Sequence, residues 1–260
     1  MDYEKMILME NTDIYYEAWS GYRKKLTQYI RENADKNKSI AIWGAGGCND
    51  IDLDLISREN KITLIDHDVE KCKNALERSG LYGRNIEYVD LRFWDIDYEW
   101  YKIFEAMLQE KMSVEYLVGH MRDAVKRMEK IDYRFIVPFD ISVAIGIASQ
   151  LNSRIASLFF FYKDNYDGSE RRIIIDEINT MNELATVKMA STIETLTNEK
   201  MLIGLEANEN DVPESIAGNK EILNYLRDKY NLGKSGYVFE WPFTEFKKYN
   251  MNLWLINLRK

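Results

Sequence analysis

Apolar positions along the chain follow two rhythms. In "DIYYEAWSGYRKKLTQYIREN", Tyr15, Trp19, Tyr22, Leu26 and Tyr29 recur three and four residues apart, which predicts a helix with one apolar face and Asp13 as its N-cap. Asn37 to Ser39 breaks that pattern. Ser39 to Trp43 then reads as a short buried strand, and "IDLDLISREN" as a helix whose start draws its side-chain acceptor from Asn49 or Asp50. "KITLID" predicts a second strand, "VEKCKNALERSG" a second helix ended by Gly80, and "IEYVDL" a third strand. Strand alternating with helix is the rhythm of a parallel sheet with crossover helices.

Between Tyr98 and Lys130 the rhythm is helical throughout, with Val114, Leu117, Val118, Met121, Val125 and Met128 on one face of the second stretch. "DYRFIVPFDIS" predicts a fourth strand ended by Pro138, which has no N–H for a ladder bond. A helical region follows over about Glu183 to Leu196, then a fifth strand in "KMLIGLEA" and a helix in "PESIAGNKEILNYLRDKYN", with Pro213 near its start. "GYVFEWPF" and "YNMNLWLINL" are strand-like and joined only by the short "TEFKK". A parallel crossover needs a dozen or more residues, so these two form an antiparallel hairpin.

Composition narrows the class. The 260 residues carry 35 Lys plus Arg against 43 Asp plus Glu, a formal charge of −8. An acidic chain is a poor partner for phosphate backbones, whose affinity comes from basic side chains displacing counterions, so nucleic acid is disfavoured. Cys48 and Cys72 are the only cysteines, which implies no disulfide framework and a reducing compartment. His67 and His120 stand far apart without metal-ligand spacing, so no metal site is expected. The N-terminal "MDYEKMILME" does not read as a secretory signal, and runs such as "VAIGIA" are too short to span a bilayer. The expectation is a cytoplasmic protein.

Candidate chemistry concentrates in "SIAIWGAGGCNDIDLDLI". Glycines at 44, 46 and 47 allow positive φ and let a ligand approach the main chain. In open α/β sheets ligands sit beyond the carboxyl ends of the strands, where the strand order reverses. Asp66 ends the second strand, about twenty residues past Gly46, where a carboxylate can accept both hydroxyls of a ribose. Asp90 ends the third strand, placed to reach the neighbouring purine region. Asp50, Asp52 and Asp54 do not make a calcium loop, because Leu55 stands where glycine is required and Lys61 where the closing glutamate belongs. Cys48 has no histidine beside it to activate a thiolate. The dinucleotide fingerprint G-x-G-x-x-G is broken by Asn49 at its third glycine position.

In these segments the chain resembles the class I S-adenosylmethionine-dependent methyltransferases. "IAIWGAGGCNDIDLDLI" is similar to their glycine-rich first motif, "TLIDHD" to their second and "IEYVDL" to their third. "FIVPFDISVAIGIASQL" and the terminal hairpin fit the same plan, so the likeness runs from about Ile40 to Leu258. It implies an α/β, three-layer, Rossmann-like fold, with a seven-stranded, mostly parallel sheet and a C-terminal antiparallel hairpin. Residues 1–38 would be a helical N-terminal extension and 39–260 the methyltransferase-like domain, with a helical insertion at about 97–130.

S-adenosylmethionine is the implied cofactor and S-adenosylhomocysteine the product. Gly44, Ala45 and Gly46 would face the cofactor's amino acid part, Asp66 its ribose, and His67 the adenine edge. Asp90 and Leu91 would lie near the adenine amino group, and Phe139 or Asp140, at the fourth strand's end, would border the methionine part. The family's first motif commonly has an acidic residue two positions before the first glycine, and here that position is Ile42. Asp50 or Asp140 is the substitute contact for the cofactor's amino group. "VPFD" lacks the Asn-Pro-Pro-Tyr type signature of enzymes that methylate base or glutamine amino groups.

Methyl transfer from a sulfonium needs alignment and exclusion of water, and no obligatory catalytic side chain follows from it. The aromatic helix with Tyr15, Tyr16, Trp19 and Tyr22, the inserted helices and "SLFFFY" at Ser157 to Tyr162 are candidates to cover the cleft, which favours a small organic acceptor. Two further readings share the glycine turn: an NAD(P)-dependent oxidoreductase, which the terminal hairpin disfavours, and a methyltransferase-like binding protein without catalysis.

Overall fold

A computed structural model describes residues 13–81, 84–93, 96–151, 153–233 and 236–258. Seven strands form one sheet: β1 (Ser39–Trp43), β2 (Lys61–Asp66), β3 (Ile86–Asp90), β4 (Phe139–Ile145), β5 (Thr197–Ala207), β6 (Tyr237–Trp241) and β7 (Tyr249–Asn257). Their order is β3-β2-β1-β4-β5-β7-β6. The first five are parallel, and β7 lies antiparallel to both β5 and β6. The chain steps outward from β1 to β3 and then returns to β4 on the other side of β1. The order therefore reverses between β1 and β4, where open sheets of this class leave a crevice at their carboxyl ends.

Alternation of side chains assigns the two faces. Ile40 and Ile42 point to one, under α1 (Ser20–Asn33), α2 (Leu53–Ser57) and α3 (Val69–Arg78). Trp19, Tyr22, Leu26 and Ile30 seal that layer against the sheet and the hairpin. Ala41 and Trp43 point to the other face, under the last turns of α7 (Gly168–Thr195) and under α8 (Asn219–Tyr230). The result is a Rossmann-like three-layer α/β sandwich closed by an antiparallel hairpin.

A third apolar core stands apart from the sheet. It joins α4 (Tyr98–Gln109), α5 (Val114–Glu129), α6 (Ser153–Tyr162) and the first half of α7, through Phe104, Leu117, Met121, Phe159, Ile174 and Met181 among others. The 28 residues of α7 make a helix about 42 Å long, which belongs to this annex at its start and to the sheet at its end.

Several elements differ from the sequence pattern. Asp13–Tyr15 is a single 3-10 turn and α1 starts at Ser20; the side chain of Asp13 lies outside the described residues. Asp52, not Asn49 or Asp50, caps α2 by accepting from the Leu55 N–H. Pro138 precedes β4 and does not end it, because proline is tolerated before a strand while the apolar run after it must be the buried central strand. α7 starts fifteen residues before Glu183, at a capping box of Asp167 and Glu170. Pro213 opens only a short turn; a Cβ on Gly218 would fall 2.6 Å from the Ala148 carbonyl oxygen, and α8 begins after that close approach.

Candidate functional site

The glycine turn follows β1 directly. Gly44 has φ +63° and Gly46 φ +48°, a region that disfavours side chains. A Cβ on Gly44 would also lie 2.6 Å from Ile147 Cδ1, whereas around Gly46 nothing but the Gly44 carbonyl comes within 4 Å. Ala45 is buried between them. The turn thus keeps main chain open at Gly46 and closes it against β4 at Gly44.

Asp66 holds this turn in place. Its Oδ2 accepts the Gly46 N–H at 2.8 Å, its Oδ1 accepts the Asp68 N–H at 2.8 Å, and His67 Nδ1 lies 3.2 Å from the same Oδ1. Burial alone pushes this carboxyl up, but His67 and the two main-chain donors together carry it below the ordinary aspartate value. An ionised carboxylate offers about four acceptor sites, so these three donors leave one for a further hydroxyl. Asp90 is the register partner of Asp66 on β3 and its side chain is exposed; Leu91 is buried and donates its N–H to the Asp66 carbonyl at 3.2 Å. Gly44 to Gly46, Asp66 with His67, and Asp90 with Leu91 therefore share one edge of the sheet.

Phe139 and Asp140 do not join them. They open β4 at the opposite edge, where Asp140 accepts from the Ser39 N–H at 2.8 Å and its hydroxyl at 2.9 Å. Phe139 donates its N–H to the Leu196 carbonyl and packs edge-on to Trp43. The misplacement follows from the strand's true start after Pro138. The carboxyl end of β4 is Ile145, followed by Gly146 and Ile147.

Above the turn, the segment before α1 is strapped down. Arg23 is buried and donates to the Tyr16 carbonyl at 2.9 Å and the Asn49 carbonyl at 2.8 Å. The Tyr16 ring lies between the guanidinium groups of Arg23, at 3.7 Å, and Arg78, at 4.0 Å. Arg78 in turn donates to the Gly47 carbonyl and to Asn49 Oδ1. Asp50 follows the turn; burial pushes its carboxyl up to about 6, against the opposing pull of its own main-chain N–H and of Arg23. Cys48 is buried, and burial together with Asp50 holds its thiol well above the ordinary value, so it is no nucleophile at neutral pH.

One constellation escaped sequence reasoning. Tyr22 Oη, Trp241 Nε1 and Glu206 Oε2 are buried and have no hydrogen-bond partner among the described residues, on residues 3 %, 6 % and 5 % exposed. They come from α1, the end of β6 and the carboxyl end of β5, on the same face of the sheet. The Tyr22 and Trp241 rings stack with centroids 5.8 Å apart, and Trp241 lies against Gly146 at the end of β4. Glu206 spends its other oxygen on the Ser149 hydroxyl. The only sequence signal was an acidic residue closing the apolar run "KMLIGLEA". Among the described residues, no group of three or more His, Cys, Asp or Glu is arranged to hold a metal ion, and no helix is long and apolar enough to cross a membrane.

No protein-family model matches the chain, and no curated protein does. Among solved structures it is similar to magnesium protoporphyrin IX methyltransferase from Synechocystis with bound S-adenosylmethionine, at 8% identity over 95% of this chain and 82% of that one, with a TM-score of 0.48. It is similar to the N-methyltransferase NodS from Bradyrhizobium japonicum at 12% identity over 95% of this chain and 99% of that one, with a TM-score of 0.45. A 1,6-didemethyltoxoflavin-N1-methyltransferase from Burkholderia thailandensis, with bound S-adenosylhomocysteine, gives 8% identity over 99% of this chain and 87% of that one, with a TM-score of 0.47. The likeness is one of fold, and the fold of this chain is a seven-stranded Rossmann-like sheet with a C-terminal antiparallel hairpin.

Proposed function

We propose that the protein is an S-adenosylmethionine-dependent methyltransferase of class I type acting on a small-molecule acceptor. The observation that carries this reading is a left-handed glycine turn at the point where strand order reverses, braced by the carboxylate that ends the adjacent strand. The open main chain at Gly46, which a Cβ would occupy, suits close approach of a ligand. The adjoining antiparallel strand β7, seated between β5 and β6, separates this sheet from the plain dinucleotide-binding one.

In this reading Gly44, Ala45 and Gly46 present main chain to the amino acid part of the cofactor, and Asp66 keeps one acceptor site for a sugar hydroxyl beside its bracing role. His67, Asp90 and Leu91 border the nucleoside along the same edge. Ile42 is buried in the core and supplies no contact to an ammonium, while Asp140 is committed to Ser39; Asp50 takes that contact. The cofactor, when bound, supplies an activated methyl group on a sulfonium. The protein's task is to hold acceptor and cofactor aligned and to exclude water, and the strap of Tyr16, Arg23 and Arg78 serves the second need.

Calorimetric titration of the purified protein with S-adenosylmethionine, S-adenosylhomocysteine and NAD tests the reading. Binding of the two sulfur compounds and none of NAD is expected. NAD binding with no response to either sulfur compound would point to the oxidoreductase instead and end the proposal.

A further inference from the structure

We infer that Glu206, Tyr22 and Trp241 form a recognition site for a small amine that carries a neutral hydrogen-bond acceptor, and that this amine is the methyl acceptor. The second half rests on the methyltransferase reading; the first stands on the geometry alone.

The three unpartnered atoms dictate the chemistry of the occupant. Glu206 Oε2 is an acceptor on an acidic side chain, and a buried carboxylate oxygen without a donor is costly. An ammonium group supplies both the donor and the countercharge. For transfer it gives one proton to Glu206; the freed lone pair then forms the N–C bond as the S–C bond of the sulfonium breaks, S-adenosylhomocysteine leaves, and the proton on Glu206 passes to solvent. Trp241 Nε1 donates only, so the same occupant must offer an acceptor; Tyr22 Oη can serve either group. Two carboxylates bear on this place: Tyr22 is raised well above the ordinary phenol value first by burial, then by the charges of Asp50 and Glu206. A second anion from the ligand would be repelled there, which selects a neutral hydroxyl or carbonyl over a carboxylate.

The surroundings are aromatic. Trp19 meets Trp241 edge-on at 5.1 Å, Phe243 packs against both, and Tyr249 lies 5.9 Å from Trp241. Aromatic faces attract a desolvated cation. Arg23, next to Tyr22 on α1, spends its guanidinium on two main-chain carbonyls. The site lies at the carboxyl ends of β4 and β5, next to the reversal point beside the glycine turn, so an amine held by Glu206, Tyr22 and Trp241 neighbours the proposed cofactor position, with the charge of Asp50 bearing on both.

Calorimetry with ethanolamine, catechol and benzoate, on the protein alone and with S-adenosylhomocysteine present, tests the inference. Ethanolamine should bind and the other two should not, and Glu206→Gln should weaken ethanolamine at least tenfold while S-adenosylhomocysteine affinity stays within twofold. If Glu206→Gln does not fold, Trp241→Phe keeps the ring and removes only the N–H, and should weaken ethanolamine several-fold. No ethanolamine heat, or a preference for benzoate, overturns the amine site even where S-adenosylhomocysteine binds. Ethanolamine binding without any response to S-adenosylhomocysteine would sustain the amine site and sink the methyltransferase reading.

Discussion

The sheet body and the helical annex are both assembled by apolar spacing, but they treat buried polar groups differently. In the annex, buried acids are paired across neighbouring helices: Glu177 takes a bidentate Arg122 at 2.9–3.1 Å, and Glu105 accepts from the Tyr162 hydroxyl at 3.1 Å. Its two unpartnered nitrogens, on Trp100 and His120, belong to a single ring stack. In the sheet body, polar groups at the carboxyl edge hold strained main chain (Asp66) or remain unmatched (Glu206, Tyr22, Trp241). Partnered groups fix a shape, and unmatched ones at a strand-order reversal mark a place for a ligand. The proposed function accordingly places chemistry at the sheet edge and scaffolding in the annex.

The strongest way to break that division is to damage the annex alone. Phe104 is fully buried there, and Phe104→Ala should cost about 3–5 kcal/mol in denaturant unfolding. Affinity for S-adenosylhomocysteine should be unchanged in the folded fraction; a matching loss of affinity would make the annex part of the cofactor site.

Gly44→Ala should cost about 2–4 kcal/mol, combining left-handed strain with displacement of Ile147, and here cofactor affinity should fall with stability. Asp66→Ala should weaken cofactor binding at least tenfold, the value of a charge-assisted hydrogen bond of about 1.5–3 kcal/mol. The structure adds that the loss acts partly through the freed Gly46 N–H, so Asp66→Asn, which keeps an acceptor oxygen, should recover part of the affinity.

Asp66 and Asp50, the two carboxylates beside the glycine turn, give opposite pH signatures. Asp66, lowered in the folded state, contributes stability that is present above the unfolded aspartate value and lost as pH falls. Asp50, raised to about 6, binds its proton more tightly when folded, so its contribution is fully present below about pH 4 and lost as pH rises through 6. Asp50→Asn should consequently stabilise the protein at pH 7.5 by about 3 kcal/mol, falling to about 1 kcal/mol at pH 4.5 and vanishing at lower pH, as read by thermal unfolding.

How much of this was legible in the sequence depends on whether a feature is local. β1 to β3 and the glycine turn are marked by apolar runs that end at glycine or aspartate, and the terminal hairpin by a connection too short for anything else. The start of β4 was misread because Pro138 punctuates the segment equally well as an end or a beginning, and that error carried Phe139 and Asp140 to the wrong edge. The first half of α7 hid because its apolar residues Ile174, Ile178 and Met181 serve a different core from Met189 and Ile193. Tyr22, Glu206 and Trp241 come from three distant segments, and no local pattern announces the stacking of the two rings or the charge of Glu206 that bears on Tyr22.

The central claim is that the cofactor lies on the glycine turn, and glycine amides report on it directly. The chain has 13 glycines, spread over both regions. In protein labelled with [15N]glycine, adding S-adenosylhomocysteine should shift the amide signals of Gly44, Gly46 and Gly47 and leave those of Gly119 and Gly168 in the annex in place. Shifts confined to Gly119 and Gly168, or none at all at saturating ligand, would contradict the account.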